Sequence, residues 1–150
     1  MSKDDDFKII KTISENSEVT LVRLQHLWKN IPVENSQYNL HILDNTIITM
    51  NGVLHKANLS NVDPLLAEND ALDAALKYVN ADSYMWESKE MELLIKENRR
   101  DSLATYFPKG LLVILSEKNV DSVQLAYRFE VFQEYHLNTR KYMLMLDQER

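Results

Sequence analysis

From Val19 to Met50 apolar and polar positions alternate with the period of a strand. Val22, Leu24 and Trp28 fall on even offsets and Arg23 and Gln25 lie between them, so Val19 to Trp28 reads as a strand with one wet face. An aromatic turn and Ile31-Pro32-Val33 follow. Next, Tyr38, Leu40 and Ile42 alternate with Asn39 and His41. Asp44-Asn45 separates two strand runs, and both residue types tolerate the left-handed backbone of a tight hairpin. Thr46 to Met50 is the returning strand, ended by Asn51-Gly52. Ahead of these strands, Ile9, Ile10 and Ile13 precede a polar break at Ser14 to Glu18, which predicts a short strand or turn.

Past Asn61-Val62-Asp63-Pro64 the period changes. Leu72, Ala75, Leu76 and Val79 repeat at helical spacing, so a helix lies within Leu65 to Val79, with Asp63 as its expected cap and Pro64 at its first position. A second helix is predicted from Ser88 to Arg99. Its apolar stripe is Met91, Leu94 and Ile95, with Glu90 and Glu92 in the first turn and Lys96, Arg99 and Arg100 in the last. Thr105 to Gly110 reads as a strand end and turn. Leu111 to Leu115 is a solid apolar run, expected as a central strand covered on both faces. Val123 to Phe132 alternates, with Leu125, Tyr127, Phe129 and Val131 inward. His136 to Thr139 is a turn, and Lys141 to Asp147 a last strand. Strands alone thus precede the boundary, and two helices and three strands follow it. No Ser/Gly linker marks the join, so two lobes that pack together are expected.

Composition removes several functions. With no cysteine there is no thiolate metal site, disulfide or cysteine nucleophile. Two glycines, Gly52 and Gly110, are too few for a Gly-rich phosphate loop. A net charge of −6 disfavours nucleic acid, which needs clustered Lys and Arg. No apolar run is long enough to span a membrane, and MSKDDDFKII holds no apolar signal core. Asp4-Asp5-Asp6 reads as a solvated end.

Candidate chemistry is sparse. None of His26, His41, His55 and His136 opens an H-E-x-x-H helix. His26 and His41 lie on adjacent strands, where a converging pair would still need a third ligand, and both read as wet-face residues. Glu87, Glu90, Glu92 and Glu97 share their region with Lys89 and Lys96 as a solvated face. No G-x-S-x-G elbow is present. No catalytic, cofactor-binding or metal-binding residue is expected. Trp28, Trp86, Tyr84, Tyr106 and Phe107 form either an aromatic groove or, as the preferred reading, core and hinge packing. An edge strand of the sheet is the remaining device: its unpaired backbone groups can accept a strand from a partner.

The order of these residues resembles the fungalysin/thermolysin propeptide motif, a Gly-Ile-Pro-Val segment with a later His and then Asn-Gly. Ile31, Pro32, Val33, His41, Asn51 and Gly52 carry that likeness here. Where the family commonly has glycine this chain has Asn30 and Asn35, a residue type that tolerates positive φ. The second half resembles the PepSY domain that follows in thermolysin-like precursors. It does so through Leu66, Ala71, Leu72 and Ala75; Tyr84, Trp86 and Glu87; Tyr106, Pro108, Lys109 and Gly110; Ala126, Tyr127, Arg128 and Phe129; and a closing strand at Asp147. The resemblance implies an α+β chain of two small cystatin-like and PepSY-like lobes, residues 1–62 and 63–150, with antiparallel sheets and helices packed on one face. It also implies a non-catalytic propeptide of a secreted or cell-envelope zinc metalloprotease, acting as intramolecular chaperone and inhibitor. The partner implied is the cognate catalytic domain, in cis or in trans. The alternative reading is a free-standing cystatin-like binding or regulatory module without a protease; a small cone-shaped α+β enzyme is a third. The reading frame beyond Arg150 separates the first two, and a deep pocket with convergent ionisable groups would mark the third.

Overall fold

The computed structural model describes residues 2–15, 19–116, 123–134 and 140–145. In chain order the elements are β1 (Asp5–Glu15), β2 (Val19–Trp28), β3 (Ile31–Leu43), β4 (Thr46–Val53), α1 (Glu68–Val79), a 3-10 turn at Met85–Glu87, α2 (Lys89–Arg99), β5 (Leu111–Ser116), β6 (Val123–Val131) and β7 (Arg140–Met145). The fold is mixed α+β and mostly sheet. It divides into two compact units, Met1–Asp63 with Leu112–Leu125, and Pro64–Leu111 with Ala126–Asp147.

The first unit is built on β1 to β4, all antiparallel to their neighbours. Two tight turns set this register. Lys29 and Asn30 join β2 to β3 with φ of 47° and 66°, and Asp44 and Asn45 join β3 to β4 with φ of 48° and 60°. Two successive left-handed residues match the twist of the strands they connect. Asn35 is also left-handed, at φ 57°, so both asparagines that stand in for glycine adopt the expected backbone. Asn35 lies inside a wide irregularity of β3: Gln25 pairs with Gln37 but Leu27 with Pro32, so β3 carries surplus residues between them. Pro32, which cannot donate to a ladder, sits at the edge of that irregularity. The Gln25 side-chain amide reaches the carbonyls of His26 (3.0 Å), Val33 (2.7 Å) and Ser36 (3.2 Å), supplying donors where the ladder lapses. β5 joins β3 in parallel through Val33 and Ile114, both fully buried, and the opening of β6 belongs to the same unit.

In the second unit α1 lies against β7, which runs antiparallel to β6 from Ala126–Met145 to Val131–Arg140. Ala71, Leu72 and Ala75 are the buried face of α1, and Ala126, Tyr127, Phe129 and Val131 that of β6. Ser88 caps α2 by accepting from the Met91 N–H at 3.4 Å, and the charges at the two ends of α2 oppose its dipole as predicted.

Several boundaries differ from expectation. β1 is an 11-residue strand rather than a short one, because the whole of β2 is available to pair with it. β3 begins at Ile31, and Asn51-Gly52 lie within β4 instead of ending it. α1 starts at Glu68 after Ala67, not at Asp63-Pro64; Leu65 is exposed, so no packing draws the helix earlier. Leu94 is exposed and leaves Ile95 as the buried residue of α2. Residues 105–110 form no strand, and in β5 only Val113 and Ile114 are buried. The turn at His136 to Thr139 and the strand end at Asp147 lie outside the described residues.

Candidate functional site

Among the described residues β4 pairs with β3 alone, so its other edge presents unpaired backbone groups. Every residue of β4 is exposed, and none of Thr46–Val53 is charged or proline. Ile47, Ile48 and Met50 are each more than half exposed. Edge strands of stable proteins are commonly blunted by Lys, Pro or a cover; β4 has neither of the first two. It is anchored at its far end by Gly52, where a Cβ would overlap the Gln37 carbonyl oxygen and where φ is 157°. Only glycine lets β4 approach β3 so closely there. Asn51 lies opposite Asn39 and accepts from its side-chain amide at 3.2 Å. Another outer strand, β1, carries Asp5, Asp6, Lys8, Lys11 and Glu15 and is charged along its length.

The second feature is a buried polar cluster. His26 is 3% exposed and Ser36 fully buried. His26 Nε2 lies 2.8 Å from Asp5 Oδ1, and Nδ1 lies 3.0 Å from Ser36 Oγ. Ser36 Oγ also accepts from the His55 N–H at 3.0 Å and lies 3.4 Å from the Val53 carbonyl oxygen. The Phe7 ring stacks on the imidazole at 5.5 Å between centroids. The hydrogen bond from His26 is the main cause holding the Asp5 carboxyl below its ordinary range. The order carboxylate, imidazole, hydroxyl is that of a hydrolase triad, but here the hydroxyl is fully buried between strands. Two expectations are overturned here. His26 is a core residue, not a wet-face one, and Asp5 is its partner rather than part of a solvated end. His26 shares the even positions of Val22, Leu24 and Trp28, so the alternation of β2 itself places it on their face. His41 stays apart: it pairs with Leu21 and Thr49, so the two histidines do not converge. No group of three metal-ligating side chains occurs among the described residues.

Of the remaining family-motif positions, Ile31 pairs with Trp28 and Pro32 with Leu27, and Val33 is buried against β5. In the second unit Trp86 stacks on Tyr84 at 4.3 Å and meets the Phe107 ring edge at 5.8 Å. Tyr106 packs edge-on to Phe132 at 5.2 Å. Trp28 belongs to the other unit. Pro108 is buried. The Gly110 N–H donates to Glu68 at 2.8 Å, and a Cβ there would press on Glu68, Phe129 and Tyr127 at 2.8, 2.9 and 3.0 Å. Tyr127 lies 6.1 Å from Phe129. Ser36 was missed because a lone serine in a polar stretch carries no signal; its role depends on the strand irregularity.

The described residues thus define a mixed α+β protein whose N-terminal third is a four-stranded antiparallel sheet with an open apolar edge. Residues 5–54, the span of those four strands, match the family model described as the Fungalysin/Thermolysin Propeptide Motif. That match covers a third of the chain. No curated protein matches it. No helix among the described residues is long and apolar enough to cross a membrane.

Proposed function

We propose that this chain is the non-catalytic propeptide region of a secreted thermolysin-like metalloprotease, serving its catalytic domain as a folding aid and inhibitor. The observation that carries this reading is the open, uncharged edge of β4 within the matched motif. Main-chain pairing along such an edge gives affinity with little demand on partner sequence. That suits a segment that must grip a domain while it folds. In this reading residues 63–150 form a PepSY-like lobe beside a cystatin-like first lobe, with Trp86, Pro108, Gly110 and Tyr127 as structural positions. The change of compact unit between Asp63 and Pro64 supports a boundary there, while Leu112–Leu125 group with the first unit.

The test is association with the cognate mature catalytic domain, together with the refolding yield of that domain when the chain is added. Binding and a raised yield are expected. Ile48→Lys with Met50→Lys should weaken binding at least tenfold and leave Tm within a few degrees, since both side chains are exposed. Undiminished binding by the double variant removes β4 as the docking edge. A purified pair that never associates removes the propeptide reading itself.

A further inference from the structure

Asp5, His26, Ser36 and Val53 come from β1, β2, β3 and β4 in turn, and His26 Nδ1 and the Val53 carbonyl both face the single Ser36 hydroxyl proton. An ionised carboxylate only accepts, so His26 Nε2 must carry a proton toward Asp5. Ser36 has one proton to give and two neighbours able to take it, the Val53 carbonyl and His26 Nδ1. If that proton goes to Val53, Nδ1 must donate to Ser36, and the ring is an imidazolium. If the ring is neutral, the proton turns to Nδ1 and the Val53 carbonyl loses its bond.

We propose that His26 is a proton-operated catch: its second ring proton frees the Ser36 hydroxyl to bind the Val53 carbonyl and so fastens the end of β4 to β3. The tie is present while the ring is doubly protonated and is lost as rising pH strips Nδ1. Nε2 keeps its proton and its bond to Asp5 throughout. Asp5 faces the ring from β1; His55 and Lys56, from the segment after β4, line the same cleft of about 430 Å³. From β3, Ser36 meets the ring, and Glu34 lies in the same stretch of that strand. The depressed Asp5 carboxyl keeps the counter-charge in place well into acid. Because β4 is the open edge, the catch sets how firmly that edge is held. The inference needs no protease and does not rest on the propeptide reading.

The experiment is an NMR titration of the whole chain from about pH 5 to 9, the range in which imidazoles ordinarily titrate. It follows the His26 ring nitrogens, the Val53 carbonyl carbon and amide exchange in β4, with β2 amides as the internal reference. Two protonated ring nitrogens are expected at the acid end and a single Nε2 proton at the alkaline end. The Val53 carbonyl shift should move with the same midpoint, and β4 exchange should rise several-fold relative to β2. Ser36→Ala should abolish the Val53 response. A ring holding one proton across the whole range overturns the proposal, as does a Val53 response that persists in Ser36→Ala. Should that variant fail to fold, the wild-type ring state and its midpoint against Val53 decide the matter alone.

Discussion

Phe129 is the largest fully buried side chain among the described residues, and it lies against the space that Gly110 leaves open. Truncating it removes both buried area and packing that the neighbours cannot refill. Phe129→Ala should cost about 3–5 kcal/mol, a fall in Tm on the order of 10 °C. Leu76, read from its spacing as an equal member of the core, is only half-buried, so Leu76→Ala should cost clearly less. Parallel thermal melts check the ranking, and equal losses would count against the burial described here. At the same scale, Gly52 shows why a residue's role depends on its partner: its value lies in the Gln37 carbonyl it avoids, which no local pattern reveals.

The elements differ in what fixes them. α2 is locally specified, with its cap, its acidic start and its basic end all written within Ser88 to Arg99. Ser88→Ala should therefore destabilise the second unit by about 1 kcal/mol, seen as a lower urea midpoint with an unchanged slope. No loss at all would mean that the long 3.4 Å cap bond contributes nothing. α1 is the contrast. Asp63-Pro64 offers a good local start, yet the helix begins at Glu68 without a side-chain cap. Glu68 instead accepts from the Gly110 N–H, a bond across 42 residues of chain, so a distant loop helps place the helix end. The β2–β3–β4 meander belongs with α2, since its turns are set by Lys29-Asn30 and Asp44-Asn45.

For the molecule as a whole, pH acts on stability through the one carboxyl whose shift has a clear cause. Asp5 in the folded chain titrates below its ordinary range, mainly through its bond from His26. Its contribution is complete above the unfolded carboxyl's value of about 3.9 and is lost as pH falls through the lower, folded value. Asp5→Asn keeps the shape and removes that slope. The wild type should out-melt this variant at neutral pH, and the gap should narrow as pH drops to about 3. A gap constant with pH would show that the Asp5 charge does not support the sheet. The titration is unusual in joining β1 to β2 and β3 through a single ring, so its loss loosens three strands of the matched motif together.

The sequence alone determined the succession of strands and helices, the hairpin turns and the propeptide likeness, because alternation, helical spacing and positive-φ asparagines are properties of near neighbours. Tertiary structure decided that Asp5 and Ser36 are the partners of His26, and that among the described residues β4 has no outer neighbour. Those facts arise from register, above all the surplus residues of β3 opposite Gln25 to Leu27. That irregularity brings Ser36 against the imidazole, and strand register is fixed only when distant segments meet.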